Sequence, residues 1–263
     1  MIRALYSAAS GMAAQQLNID NIANNLANAN TTGYKSRRAQ FQDLLYQTMV
    51  APGSSASQST IVPAGLQLGL GTRAASNEIN FQQGSFTSTS NPLDLVIQGN
   101  GFFQILQPNG NLAYTRNGSF QLNATGSLVT SDGYLLQPQV TVPPAAQAIN
   151  IAADGTVSYT LPGQTQAQNA GQITLANFQN QAGLNSLGDS LFAPTDASGA
   201  ATVGVPGGAE GQGSILQGYT EQSNVSVVDE FINMITSQRA YEANSKVVKA
   251  ADEMYQQANN LKQ

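Results

Sequence analysis

The sequence predicts an α+β fold. Helices from the two ends of the chain form an antiparallel, coiled-coil-like domain, an extended arm follows the first helix, and a mostly antiparallel β domain fills the middle. Three observations predict it. Leu5, Met12, Ile19 and Leu26 recur at heptad spacing near the start, and Val227, Met234, Tyr241, Val248 and Tyr255 do so near the end, with no Pro or Gly in the second run. From Ile79 onward, apolar runs of strand length are separated by turn signals. Between the first helix and that region lies a stretch with little core of its own. Two heptad segments at opposite ends of one chain read most simply as an antiparallel pair closed by everything between them.

The first helix is expected over residues 2–28, with Ile2 and Ala9 in the column beside the heptad seam. Asn18, Asn21, Asn25 and Asn28 line an amide stripe along it. Uncharged amides beside alanines suit close helix contact with hydrogen bonds across it. The expectation is that further copies of the chain cover this stripe; an ordinary two-helix stalk is the alternative. Asn28-Ala29-Asn30-Thr31-Thr32-Gly33 stops the helix, with Gly33 suited to a left-handed conformation. Tyr34-Lys35-Ser36-Arg37-Arg38 reads as a short exposed basic turn, with a phosphate or lipid patch as the alternative. Phe41, Leu44, Leu45 and Met49 stand at helical spacing before Pro52-Gly53 breaks the pattern. Residues 54–59 are small and polar, and Ile61-Val62, Leu66, Leu68 and Leu70 follow as an exposed strand. Residues 46–73 therefore read as a protruding hairpin or arm that needs a neighbour to order it.

The β region opens with strands over 93–98 and 102–106 around Gly99-Asn100-Gly101. Asn109-Gly110, Asn117-Gly118, Ala124-Thr125-Gly126 and Asp132-Gly133 are each suited to a tight turn. Strands over 149–151, 157–161 and 173–178 surround Asp154-Gly155 and Pro162-Gly163, and residues 183–213 are loop-rich. A last strand over 215–220 leads to the final helix, residues 225–261. Ser226 and Asp229 make a capping-box-like start to it, and Lys246, Lys249 and Lys262 lie where the dipole favours cations. The expected division is 1–35 with 222–263 as a helical assembly domain, 36–78 as the arm, and 79–221 as the β domain.

Composition narrows the function. Charged residues are 10% of the chain, against about 25% in ordinary soluble domains, which suits a subunit of an assembly. Net charge is −5, and no Lys or Arg occurs between Arg116 and Arg239, so no nucleic-acid partner is expected. The absence of His and Cys removes Ser–His triads, thiolate chemistry and the common zinc sites. No secretory signal or bilayer-spanning run is evident in the sequence. Asp94 and Asp132 would suffice in kind for a glycosidase pair, but a strand position and a turn position explain them better. Gly99-Asn100-Gly101 lacks the third glycine and the helix of a dinucleotide loop. No catalytic residue, metal or cofactor is expected.

Several stretches together resemble the axial rod and hook proteins of the bacterial flagellum. Ser10-Gly11-Met12, Asn21-Ile22-Ala23-Asn24-Asn25-Leu26-Ala27-Asn28 and Thr32-Gly33-Tyr34-Lys35 are similar to that family's N-terminal signature. Leu95-Val96-Ile97-Gln98-Gly99-Asn100-Gly101-Phe102-Phe103 and Tyr114-Thr115-Arg116-Asn117-Gly118-Ser119-Phe120 resemble its central β motif. Ser223-Asn224-Val225 and Gln238-Arg239-Ala240-Tyr241-Glu242-Ala243-Asn244 resemble its last helix. Within the family, Tyr46-Gln47-Thr48-Met49 through Pro63-Ala64-Gly65-Leu66-Gln67-Leu68-Gly69 fits the distal-rod branch best, ahead of hook and proximal-rod subunits.

The resemblance implies a structural subunit without enzymatic activity. It would be exported by the flagellar type III apparatus without a cleaved signal and would self-assemble into a helical tube across the periplasm. Its implied partners are proximal rod proteins, hook or hook-adjacent subunits, and the peptidoglycan and outer-membrane rings that act as a bushing. Assembly is then expected to rest on Leu5, Met12, Ile19, Asn21, Asn25, Leu26 and Asn28 of the first helix. Tyr46, Met49, Leu66 and Leu68 of the arm, and Met234, Tyr241, Val248 and Tyr255 of the last helix, complete the set. A peptidoglycan-acting enzyme and a monomeric adhesin on a helical stalk are the readings from other classes.

Overall fold

The computed structural model describes residues 2–53, 55–57, 60–61, 63–164, 166–208 and 212–260. Val62, Leu261, Lys262 and parts of the arm tip and of the 183–213 stretch lie outside the described residues. The chain forms two compact units. One comprises Met1–Ala27, Arg37–Ile79 and Ser226–Gln263, and the other Asn28–Ser36 and Asn80–Val225.

The first unit is built on helix α1, Ile2–Ala27, and helix α2, Val227–Asn260. At 34 residues, α2 is about 50 Å long. The amide of Asp229 donates to Ser226 Oγ (3.4 Å), so Ser226 caps α2 as its sequence suggests, with Asp229 and Glu230 in the first turn. The two helices pack antiparallel: Asn25 meets Glu230, Asn18 meets Ser237, and Gly11 faces Asn244. A ribbon of strands Arg37–Asp43 and Thr72–Ile79, paired antiparallel with a bulge at Gln40/Phe41, runs beside α1. Farther out, Gln47–Val50 pairs with Leu66–Leu68 and Ser55–Ser57 with Thr60–Ile61, making one long hairpin.

The helical spacing of Phe41, Leu44, Leu45 and Met49 is thus corrected: Arg37–Asp43 and Gln47–Val50 are strands. The ribbon bonds to itself from Arg37 to Asp43 and to α1 through side chains, and these partners outweigh a weak local period. Its contacts with α1 are specific. Asn25 accepts from the Arg37 amide (2.9 Å) and donates to the Arg37 carbonyl (2.9 Å), acting as a strand neighbour would. Asn77 donates to Asn21 (2.9 Å), and the Thr72 amide donates to Ser10 Oγ (3.2 Å). A side chain at Gly71, where φ is +110°, would fall on Ser10.

The second unit is centred on strand Phe102–Leu106. It pairs with Leu112–Thr115 on one side, and with Leu135–Gln137 and Leu175–Asn177 on the other, inside a nine-stranded sheet. Strand alternation sends its neighbours to opposite faces. Phe103 and Ile105 enter the main core with Leu95, Ile97, Phe120, Leu128, Leu136 and Ile215. Phe102 instead meets Phe81, Phe178 and Phe192 edge-on, at 5.4–6.0 Å between ring centroids. The turns expected at Asn109-Gly110, Thr125-Gly126, Asp132-Gly133, Asp154-Gly155 and Pro162-Gly163 each link successive antiparallel strands.

Asn117-Gly118 departs from that pattern. The strand after it, Gln121–Leu122, pairs onward with Leu128–Val129 rather than back with Leu112–Thr115. The glycine is there for close approach: its carbonyl accepts from the Leu95 amide (2.9 Å), and a Cβ would fall on the Leu95 carbonyl. Residues 183–213 hold strands Asn185–Gly188, Leu191–Ala193 and Thr202–Gly204. The hairpin between the first two turns on Asp189 and Ser190, both left-handed at φ 52° and 58°, a pair without the Asn-Gly signal.

Lys35 corrects the expected basic turn, being only 2% exposed. Its ammonium lies 2.7 Å from Glu221 Oε1 and donates to the Gln82 carbonyl (2.8 Å). Burial pushes the Lys35 pKa below its ordinary value, against the pull of Glu221. Glu221 Oε1 also accepts from the Gly84 amide (2.9 Å), and Oε2 stands 3.7 Å from the Arg116 guanidinium. Arg116 donates to the Gly99 carbonyl (2.7 Å) and lies over the Phe102 ring, 5.5 Å from its centroid. Gly33 closes the cluster. Its amide donates to the Glu221 carbonyl (2.8 Å), and at φ +70° it presses so closely on Arg116 and Asn117 that a Cβ would lie 2.7 Å from the Asn117 nitrogen. Three of the family-like stretches, around Gly33-Lys35, Gly99-Phe102 and Arg116-Asn117, thus meet in one buried charge cluster.

Candidate assembly surface

The expected site residues fall into three groups. Leu5, Met12, Ile19 and Leu26 on α1, with Met234, Val248 and Tyr255 on α2, are half-buried within the first unit. Tyr46, Met49, Leu66 and Leu68 lie exposed on the hairpin. Asn21 and Asn25 are buried, at 8% and 2% exposure, against the ribbon and α2 of the same chain. These two amides are therefore covered within the chain, where the expectation was another copy: Asn25 by the ribbon and α2, and the Asn21 oxygen by Asn77 of the ribbon. Asn28 stands just beyond α1, half-buried, where its carbonyl and side-chain oxygen accept from Thr31.

The α2 seam is wider than one column. Tyr241 and Val227 are exposed, while the half-buried and buried positions run Glu230, Met234, Ser237, Ala240, Asn244, Ser245, Val248, Ala251 and Tyr255. The covered positions form a second seven-residue column, Glu230, Ser237, Asn244 and Ala251, beside Met234, Val248 and Tyr255, so the contact face lies between the two columns and Tyr241 sits at its edge, 39% exposed.

What remains uncovered is apolar. Val228, Phe231, Ile232 and Ile235 form an exposed stripe along the first three turns of α2, with Ile232 at 56% exposure. Their i, i+3, i+4, i+7 spacing is itself an amphipathic signal in the sequence, beside the heptad column on the same helix. On the hairpin, Leu45 (87% exposed) and Val50 join Tyr46, Met49, Leu66 and Leu68. The Arg3 side chain reaches the Met49 sulfur (3.9 Å), tying the hairpin to the start of α1. Two apolar surfaces therefore lie open on this unit.

At the root of the α2 stripe sits Glu230. Its pKa is raised, first by burial and then by Asp229, with the Asn25 hydrogen bond opposing. A group raised in the fold contributes stability that is fully present below its unfolded value of 4.5 and is lost as pH rises through the folded value. Acidification from neutrality towards pH 4.5 is therefore expected to raise the protection factors of amides, each rate referred to the intrinsic rate at its own pH, in the last turns of α1 and the first turns of α2. Glu230→Gln should flatten that dependence, and an unchanged slope in the variant would assign it elsewhere.

The two carboxylates that the sequence offers for catalysis lie in separate structural settings. Asp94 is buried and accepts hydrogen bonds from Thr89 (2.5 Å), Asn91 (3.0 Å) and Ser119 (3.4 Å), fixing a loop, while Asp132 lies in an exposed turn. Among the described residues, no group of three acidic, His or Cys side chains is placed to hold a metal ion, and no helix is long and apolar enough to cross a membrane.

Three family models match the chain in succession. One described as a flagella basal body rod protein covers residues 5–35. One for the D1 domain of flagellar hook protein FlgE/F/G covers 96–159, and one for the C-terminal part of flagellar basal body rod FlgEFG protein covers 216–261. Full-length similarity decides the matter. The flagellar basal-body rod protein FlgG of Caulobacter vibrioides is 53% identical over 99% of this chain and 100% of its own length. The chain belongs to the FlgG family of flagellar basal-body rod proteins. FlgG of Borreliella burgdorferi is 46% identical over 100% of this chain and 99% of its own, and that of Bacillus subtilis 39% over the whole of both. The FlgG family is structural, and both uncovered apolar surfaces belong to the unit that carries the chain's two ends.

Proposed function

We propose that this chain is the structural subunit of the distal rod. Copies polymerise into a rigid helical tube that transmits motor torque to the hook and encloses an export channel. Membership of the rod family supports the setting. The observation that carries the assembly reading is the pair of uncovered apolar surfaces, the α2 stripe and the hairpin, on the unit made from both chain ends. The two terminal helices and the arm 36–78 then make the contacts between copies. The proximal rod, the hook, the peptidoglycan and outer-membrane ring bushing, and the type III export apparatus that delivers the chain across the periplasmic boundary without a cleaved signal are the partners of such a subunit.

The test is complementation of a strain that lacks its own copy. Ile232→Asp/Ile235→Asp places charge on the exposed stripe without touching the contacts between α1 and α2. It is expected to abolish swarming and leave basal bodies without a complete rod, while the purified variant keeps the parent's β-domain unfolding transition. Normal motility and normal rods from this variant would refute the assembly role of the stripe.

A further inference from the structure

The apolar columns of α1 and α2 repeat every seven residues, so hydrophobic contact alone leaves their alignment ambiguous: sliding one helix by a heptad restores the same kinds of neighbours. The polar contacts between the helices do not repeat in that way. Asn25 Nδ2 donates to Glu230 Oε1 (3.0 Å), Asn18 Nδ2 donates to Ser237 Oγ (2.8 Å), and Gly11 lies under Asn244, whose Nδ2 would be 2.8 Å from a Cβ at that position. Each step moves seven residues along both helices, so all three rungs belong to one antiparallel alignment. Each rung is chemically different: amide to carboxylate, amide to hydroxyl, and glycine to amide.

We propose that these rungs are a register key, selecting one alignment of the two chain ends from the set that the heptads permit. A slip of α2 by one heptad in one direction sets Asn25 against Ser237 and Asn18 against Asn244. The bulkier amide of Asn18 then stands where the glycine made room, and Glu230 passes beyond the end of α1. A slip in the other direction sets Asn18 against Glu230 and Gly11 against Ser237, and carries Asn25 past the start of α2. Either way the key loses a rung and misfits another. Gly11 is a disfavoured residue in a helix interior, costing about 1 kcal/mol relative to alanine; a Cβ in its place would press on the end of the Asn244 side chain, which would have to shift. A buried polar group that fixes alignment at some expense of stability is the best-attested use of such groups between helices.

The chain has no cysteine, which makes disulfide trapping a direct readout of alignment. Gln15→Cys is combined in the full chain with Ala240→Cys for the native alignment, or with Asn233→Cys or Val247→Cys for the two slipped ones. In otherwise native chains, the Gln15→Cys/Ala240→Cys variant should form at least about tenfold more bridge than either slipped pair, the discrimination expected of roughly one net hydrogen bond. Asn18→Leu/Ser237→Leu should bring the ratio towards one with helix content retained. Asn18→Ser/Ser237→Asn, which exchanges donor and acceptor across the rung, should restore it. An unchanged ratio in the leucine variant, failure of the exchanged variant to restore it, or no native preference in the parent would overturn the proposal.

Discussion

Glu221→Ala is expected to destabilise the β unit by about 3–5 kcal/mol, the usual consequence of removing one partner from a buried ion pair. The carboxylate is 1% exposed and neutralises two cations, Lys35 and Arg116, that are themselves 2% exposed. Without it, two like charges remain buried together, and the Gly84 amide loses its acceptor. The loss should appear as a lower urea midpoint with an unchanged slope. A control separates the charge imbalance from the loss of packing. Lys35→Met/Arg116→Met/Glu221→Leu removes every charge while keeping volume, and should recover most of the stability. A Glu221→Ala midpoint equal to the parent's would mean that the cluster is hydrated in solution and does not hold the unit together.

Phe103→Ala should cost the same unit about 3–5 kcal/mol through the cavity it leaves. Phe103 is fully buried in the central strand, with its ring edge-on to Phe120 at 5.1 Å and 90°. Three features prevent the surroundings from collapsing into the space. Its backbone is held between Thr115 and Leu175 in the sheet, Phe120 follows the tight Gly118–Leu95 contact, and Gly118 itself lies against the Phe103 ring. Phe103→Leu keeps most of the volume and should cost distinctly less. Thermal or urea unfolding of the two variants side by side checks this, and equal losses would mean that the site reshapes freely around either side chain.

Much of this fold was legible in the chain. The two helices end within a residue or two of the expected limits, because heptads, Ser226 and the Asn-rich stop after Ala27 are local signals. Turn glycines marked most of the hairpins. What escaped was set by contacts between residues far apart in sequence. Lys35 looks like a surface cation until Glu221, 186 residues on, is placed beside it. Phe41 to Met49 have a helical period but belong to a hairpin, since their backbone partners lie beyond the arm's tip. Asn21 and Asn25 have the composition of a contact face, and it is indeed one, yet the partner is the chain's own ribbon. The α2 stripe has a full local signal, but a longer heptad pattern occupies the same helix.

The pairing of α1 with α2 also sets a condition of completeness. A chain that emerges from its first residue onward presents α1 long before α2 exists, and the β unit ends at Val225, before α2 begins. A polypeptide cut short after that point would therefore carry an unmatched first helix. Only a finished molecule can close the key between Asn25, Asn18 and Gly11 and the residues opposite them, so the same contact that aligns the ends also certifies that the last of them has arrived.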